Sequence, residues 1–309
     1  MQRVASRTDL ATPAPTTIGR LRRWLGGSYY PYLFVAPFFV LFVAFGLYPL
    51  LYAFRLSFTY WHGAGTPRPI GFSNYTFLLT DSLFWQSLGN SAVLWLLIVP
   101  AQTILAVLIA VALSGQALRF RWFFRTAFLA PFVVPLIAVA QIWLIFFDQG
   151  NGPVNTILQV FHLPPVGWLT DATWAKPTIA LLVLWKGSGF AILVMLAALQ
   201  AIPQEVYEAA AIDGAGPATQ FWRITVPLLR RTISFFVIIS TLGVIQMFAE
   251  PYVLTQGGPY NSTTTAGYNL LGYINNADFG TGAANSFLLM ILVVAIALLL
   301  PRLLRTREE

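Results

Sequence analysis

Apolar residues concentrate in six long stretches, at about 32–54, 90–114, 127–147, 177–200, 232–254 and 283–304. Each holds 21 to 25 residues, and about 20 residues of helix cross the hydrocarbon core of a bilayer. No ten-residue alternation of apolar and polar positions occurs, so the pattern is not that of a membrane barrel. Inside lipid, a helix satisfies its backbone within its own segment, and an isolated strand does not. The pattern therefore predicts an all-α membrane protein with six transmembrane helices. Residues 1–31 form a basic tail with a Pro/Thr/Ala-rich segment, residues 32–304 the six-span domain, and residues 305–309 a short second tail.

Composition agrees with lipid as the main solvent. Of the 309 residues, 57% are hydrophobic and 9% charged, against about 25% charged in an ordinary soluble domain. The net charge of +7 would suggest nucleic acid in a soluble protein, but its distribution explains it otherwise. Fourteen of the basic residues fall on one side of the predicted membrane: Arg3, Arg7, Arg20, Arg22, Arg23, Arg119, Arg121, Arg125, Arg223, Arg230, Arg231, Arg302, Arg305 and Arg307. The opposite loops carry Arg55, Arg68 and Lys176. The positive-inside rule then puts both termini in the cytoplasm, with no nucleic-acid partner needed. The first stretch is too long for a signal-peptide core, and no small-residue cleavage site follows it.

Catalytic and metal chemistry has few candidates. Cysteine is absent and histidine occurs twice, at His62 and His162, far apart in sequence. Lys176 precedes Pro177 and Lys186 precedes Gly187, so neither completes a phosphate-binding glycine loop. The chain is expected to be no enzyme and to bind no cofactor or metal itself.

The connection 202–231 is unusually structured for a loop. Pro203 suits a helix start, and Glu205 and Glu208 favour its positive end. Ala209, Ala210 and Ala211 are strong helix formers. Asp213-Gly214 reads as a stop, with glycine free to turn left-handed. Pro217 then opens a second short helix, which Pro227 is expected to close. By its residues alone this is a helix–turn–helix connection without an assigned role.

The segment resembles the signature loop of importer permeases of the ATP-binding-cassette superfamily. Glu208-Ala209-Ala210, Gly214, Ile224 and Pro227 stand at the motif's spacing, with Val226 where the motif has leucine. The resemblance covers about residues 32–304 and is to the carbohydrate branch, the maltose-type and glycerol-phosphate-type permeases. It is carried also by Ser57-Phe58-Thr59, Asn74-Tyr75, Phe124-Arg125-Thr126 with Pro131, Trp168-Leu169, Trp185 and Thr255-Gln256-Gly257-Gly258-Pro259. The family usually has a second proline four residues after the one at Pro227, and here Arg231 stands there.

The resemblance implies a type I importer permease fold with a cytoplasmic coupling helix between spans four and five. It implies a second homologous permease, two ATP-binding subunits that hold ATP and Mg, and an extracytoplasmic solute-binding protein that delivers a sugar. Glu208, Ala209, Ala210, Asp213, Gly214, Ile224 and Pro227 would couple to the ATPase, in the cytoplasmic (inner) membrane of a bacterium or archaeon. It further implies that Lys186, Gly187, Ser188 and Phe190, with Ser240, Gly243, Val244 and Met247, line the substrate pathway, Glu250 lying at the edge. The span-five set is spaced i, i+3, i+4, i+7, one face of a helix. The same residues also read as helix packing, with Lys186 and Glu250 pairing in the membrane. The alternative function is an ion-coupled secondary transporter using Glu250.

Overall fold

The computed structural model describes residues 30–114 and 120–304. Most of the predicted N-terminal tail, the tail 305–309 and Arg119 lie outside them. The chain divides into two units, one ending at Arg55 and the other beginning at Leu56.

The described part of the first unit is a helix in three registers: α1 (Tyr30–Phe42), a π-helical turn (Val43–Leu47) and α2 (Tyr48–Leu56), whose last residue begins the second unit. The turn has a local cause. Pro49 has no N–H, and its ring would collide with the carbonyl four residues back. Widening the turn before it removes the collision, and the Tyr48 N–H bonds to Val43 O, five residues back. From Tyr32 to Phe54 the segment is apolar on every side and buries none of its side chains, while Leu56 at its end is buried.

The second unit opens on a two-residue antiparallel ladder of β1 (Thr59–Tyr60) and β2 (Arg68–Pro69), with Thr59 opposite Pro69. Then follow α3 (Ser73–Thr80), α4 (Ser82–Ser114), α5 (Arg121–Val133), α6 (Leu136–Phe146), α7 (Pro153–Val160) and α8 (Ala172–Gln200). The chain continues through α9 (Gln204–Ile212), α10 (Pro217–Gln220), a second π turn (Phe221–Thr225) and α11 (Val226–Ile245). It ends with α12 (Ala249–Leu254), α13 (Ala266–Asn275) and α14 (Phe279–Leu304).

Among the described residues five helices are each long and apolar enough to cross a membrane, and a sixth crossing exists if α5 and α6 count as one span. Those two meet at 96°, so the continuous third span expected over 127–147 is corrected to a broken one. The cause is Pro135, which forces Val134 into an extended conformation (φ −70°, ψ 135°). The fifth span is corrected too. Pro227 does not close a short helix: it sits in the first turn of α11, and Pro217–Ile245 is one 29-residue helix. The π turn before it repeats the arrangement at Pro49, with the Val226 N–H bonded to Phe221 O. The helix ends at Ile245 rather than at 254, and α12 follows a three-residue break.

Packing centres on α4 against α8, with α5 and α11 beside them. Leu94, Ile98, Ala106 and Ala110 recur every four residues or a multiple of four along α4, each fully buried. Ala191, Ile192 and Met195 of α8 cluster with Ala106 and Ala110 of this stripe, together with Leu229 and Phe236 of α11, while Leu94 and Ile98 cluster with Ile179 and Leu182 of α8. Small residues bring the backbones close, the usual means of helix association in lipid. A methyl group on Gly189 of α8 would collide with Phe128 O of α5 and come within 3.0 Å of Leu129 Cα.

The connection between α6 and α8 is organised by one buried amide. Asn155 Nδ2 donates to Gln149 O (3.1 Å) and Val166 O (2.9 Å), while its Oδ1 accepts from Val166 N (3.0 Å) and Trp168 Nε1 (3.0 Å). Asp171 then caps α8, its carboxylate accepting from Thr173 N at 2.7 Å. That bond holds the Asp171 carboxyl below the usual carboxylate range. On the other side of α4, Asn90 Nδ2 donates to Asn261 O (2.8 Å) and Thr264 O (2.9 Å). Ser91 Oγ accepts from Ala266 N at 2.9 Å, so α4 fixes the segment that leads into α13.

Two outcomes are expected. Gly189→Val should lower the stability of the detergent-solubilised protein by about 3 kcal/mol through overpacking, read as a fall in unfolding temperature. Asp171 contributes its cap above the unfolded carboxylate pKa of about 4 and loses it as pH falls through the lower folded value. Amide exchange at residues 172–175 should therefore speed up below about pH 4 relative to the intrinsic rate. The same acceleration should be absent in Asp171→Ala, which already lacks the cap.

Candidate functional site

Two regions hold the residues singled out from sequence. The first is the segment from α9 to α11. Pro203 stands just outside α9 at its N-cap, and Glu205 lies in the first turn. Gln204 Nε2 donates to Glu208 Oε1 at 2.9 Å, one turn on. The stop is a Schellman arrangement: Ala215 N bonds to Ala210 O (2.9 Å) and Gly214 N to Ala211 O (3.0 Å). Gly214 takes φ +80°, while nothing lies within 4 Å of where its Cβ would be. Backbone conformation, not crowding, is what requires glycine there. Gln220 Nε2 donates to Ala215 O (3.1 Å), and Tyr207 Oη and Thr225 Oγ1 lie 3.1 Å apart. These contacts tie α9 to the start of the long helix.

The outward side of this segment is uncovered. Glu208, Ala209, Asp213, Gly214 and Pro227 are exposed, while Ala210 and Ile224 are half-buried. Beside them Ile212 is 87% exposed and Trp222 67%. Neither residue stood out from sequence, although an isoleucine placed directly before an Asp-Gly stop is a recognisable signal.

The second region lies halfway along the packed helices. Lys186 of α8 points at the break in the third span, where Nζ donates to Val134 O (2.9 Å), Phe132 O (3.0 Å) and Pro131 O (3.5 Å). The last carbonyls of a helix have no partner within it. Here a cation with three donors takes them, on the negative end of the α5 dipole. Phe190 stacks on Phe132 at 5.5 Å between centroids, and Lys186 Nζ sits 5.7 Å from the Phe132 ring centroid. Lys186 is thereby bonded to carbonyls, and its charge also lies near enough to Glu250 for the two to attract. Glu250 itself is half-buried in the first turn of α12.

One turn of α8 faces α4 and α11 through a residue that sequence reading passed over. Gln102 of α4 is 6% exposed. Its Oε1 accepts from Ser240 Oγ of α11 at 3.0 Å. A methyl group on Gly187 would collide with its Nε2. The structure thus brings Gly187 and Ser240 together around Gln102, and Lys186 and Phe190 together around Phe132. Ser188 turns its hydroxyl back to Leu184 O. Gly243 is exposed, while Val244 and Met247 sit in the hydrophobic core with Val139 and Ile179. The single face expected over Ser240, Gly243, Val244 and Met247 is corrected, because α11 stops at Ile245 and Met247 falls in the break.

Residues 102–307 match the family described as binding-protein-dependent transport system inner membrane component. The chain belongs to that family. This permease is 34% identical over 298 residues to the sulfoquinovosyl glycerol transport system permease protein SmoG of Agrobacterium fabrum, covering 94% of this chain and 95% of that one. It is 35% identical to the lactose transport system permease protein LacF of Rhizobium radiobacter, covering 87% and 91%. It is 33% identical to the trehalose/maltose transport system permease protein MalF of Thermococcus litoralis, covering 90% and 94%. A chain of a bacterial ABC transporter involved in alginate import shares the fold, with TM-score 0.84, 22% identity and coverage of 94% and 100%. The permease is a multi-pass inner-membrane subunit, and the ion-coupled alternative through Glu250 is set aside on this match.

Lys186→Met should leave three carbonyls at the break without a donor. A loss of about 3 kcal/mol is expected, as for removing bonds to a charged group, and is read as a fall in unfolding temperature. Lys186→Arg, which keeps charge and donors, should recover part of it.

Proposed function

We propose that this permease forms half of the translocation pathway for a sugar or sugar derivative, and that it couples to ATP-binding subunits through the segment Glu208–Pro227. The observation that carries the coupling is the uncovered, preorganised surface of α9. A helix held by a Schellman stop, tied by Gln220 and Tyr207, presents Ala209 and Ile212 outward, and Trp222 of the following π turn is exposed beside it. Small side chains at Ala209, Ala210 and Gly214 admit close approach of a partner cleft, and Glu208, Asp213, Ile224 and Pro227 border it. Sugar as the transported class is supported by the names of the relatives, which concern sulfoquinovosyl glycerol, lactose and trehalose/maltose.

The complete importer in this reading has a second homologous permease, two ATP-binding subunits that carry ATP and Mg, and an external solute-binding protein. The basic residues put both termini and α9 on the cytoplasmic side, where ATP is available. Lys186, Gly187, Ser188, Phe190, Ser240, Gly243, Val244, Met247 and Glu250 form the pathway region or its wall. The six-span domain is 32–304, with the tails outside it. ATP-driven closure of the partner subunits pulls on α9 and rocks the permeases as rigid bodies.

Mild detergent extraction of the tagged chain should recover an ATPase subunit and a second permease. Gly214→Ala, which puts a side chain at φ +80°, should weaken the bend by about 1 kcal/mol and reduce recovery modestly. Gly214→Pro, whose ring cannot adopt that φ, should abolish it. Recovery of the wild-type chain without any ATPase subunit overturns the coupling role of α9.

A further inference from the structure

Gln102 is the polar residue buried where α4, α8 and α11 meet. It lies in the line of fully buried α4 side chains, between Ile98 and Ala106. Those neighbours pack against apolar partners, and an amide at this position has to be accounted for. One half of it is: Oε1 accepts from Ser240 Oγ at 3.0 Å. The other half is not, since Nε2 makes no hydrogen bond to any described residue. Nor is it among the side-chain atoms that are both sealed from solvent and unpartnered, as the amide atoms of Asn285 are. It therefore keeps contact with accessible space next to Gly187, where a methyl group would collide with it.

An unspent amide in hydrocarbon is costly. Residues that join helices in lipid normally spend their polar atoms on each other. Here one carbonyl oxygen and one hydroxyl do so, and two N–H donors are left over, twelve residues or roughly 18 Å from either end of the apolar stretch 90–114. Water or an oxygen-rich solute satisfies them, and lipid tails do not. We propose that Gln102 lines the translocation pathway, with the Ser240 bond fixing the amide so that its N–H pair is offered to hydroxyl or carboxylate oxygens of the passing solute. This rests on the permease reading above and adds a residue of the second span to a region so far drawn from the fourth and fifth.

The chain contains no cysteine, which makes the test direct. The full importer carrying Gln102→Cys is reconstituted in liposomes and treated with a charged, membrane-impermeant methanethiosulfonate from each side. The reaction is read on this chain alone, without nucleotide and with ATP and vanadate. Ala106→Cys, one turn further along the same face and fully buried, is the reference. Gln102→Cys should react at least tenfold faster than Ala106→Cys in one of the two states. Equal, slow reaction of both in both states overturns the proposal and leaves Gln102 as glue between α4 and α11. Should Gln102→Cys not assemble, Ser240→Cys puts the thiol on the other partner of the same bond, and the same criterion decides. Loss of the ATPase subunit from the wild-type preparation is a separate result: it overturns the permease's coupling reading, not the place of Gln102.

Discussion

A helix broken within a membrane span leaves carbonyls without partners in the helix, and Lys186 is what makes such a break tolerable in this fold. Pro135 turns the third span through 96°, and the carbonyls of Pro131, Phe132 and Val134 then lack intrahelical donors. The ammonium group from α8 supplies all three. Each side of the arrangement removes the other's cost. The cation finds carbonyl acceptors within the protein, and the α5 terminus finds a donor there. Everything beside the break inherits its position from this contact. The Phe132–Phe190 stack, the approach of α5 to Gly189, and the seating of α6 against α12 all follow the direction the chain takes after Val134.

The span count was legible because apolar length alone sets it. The breaks were written in prolines that a hydropathy reading averages away. Pro135 lies within a run that looks continuous, and Pro227 looks like an end although it is carried inside a helix. The two π turns show how. In each, five residues are followed by one ordinary residue and then a proline, and the residue before the proline bonds five back. A proline two positions past a strongly helical run is therefore compatible with continuation, at the expense of one extra residue in the turn.

Faces were harder to read than lengths. In a soluble helix the buried side is apolar and the other polar, so periodicity reveals it. In α4 the lipid side is as apolar as the packed side, and the stripe through Leu94, Ile98 and Ala106 leaves no contrast. Gln102 was overlooked for that reason: a lone amide among apolar residues has no partner in sequence, and its partner Ser240 is 138 positions away. The motif around Glu208–Pro227 was legible because its parts are local. Three alanines, a glycine that must turn left-handed and a proline at a fixed distance specify a helix, a stop and a restart without reference to the rest of the chain.

The π turn at Phe221–Thr225 also has a mechanical meaning. Because it absorbs Pro227 without interrupting the helix, Pro217 and Ile245 are the two ends of one stiff rod, about 43 Å long at 1.5 Å per residue. A push at the Pro217 end, as the proposed coupling requires, would reach Ser240 as tilt or rotation, since the helix is unbroken between them. The rod has its free play at the far end, where three residues separate it from α12. Coupling as proposed for this permease would then be a matter of leverage, with the compliance placed beyond the point where the load is delivered.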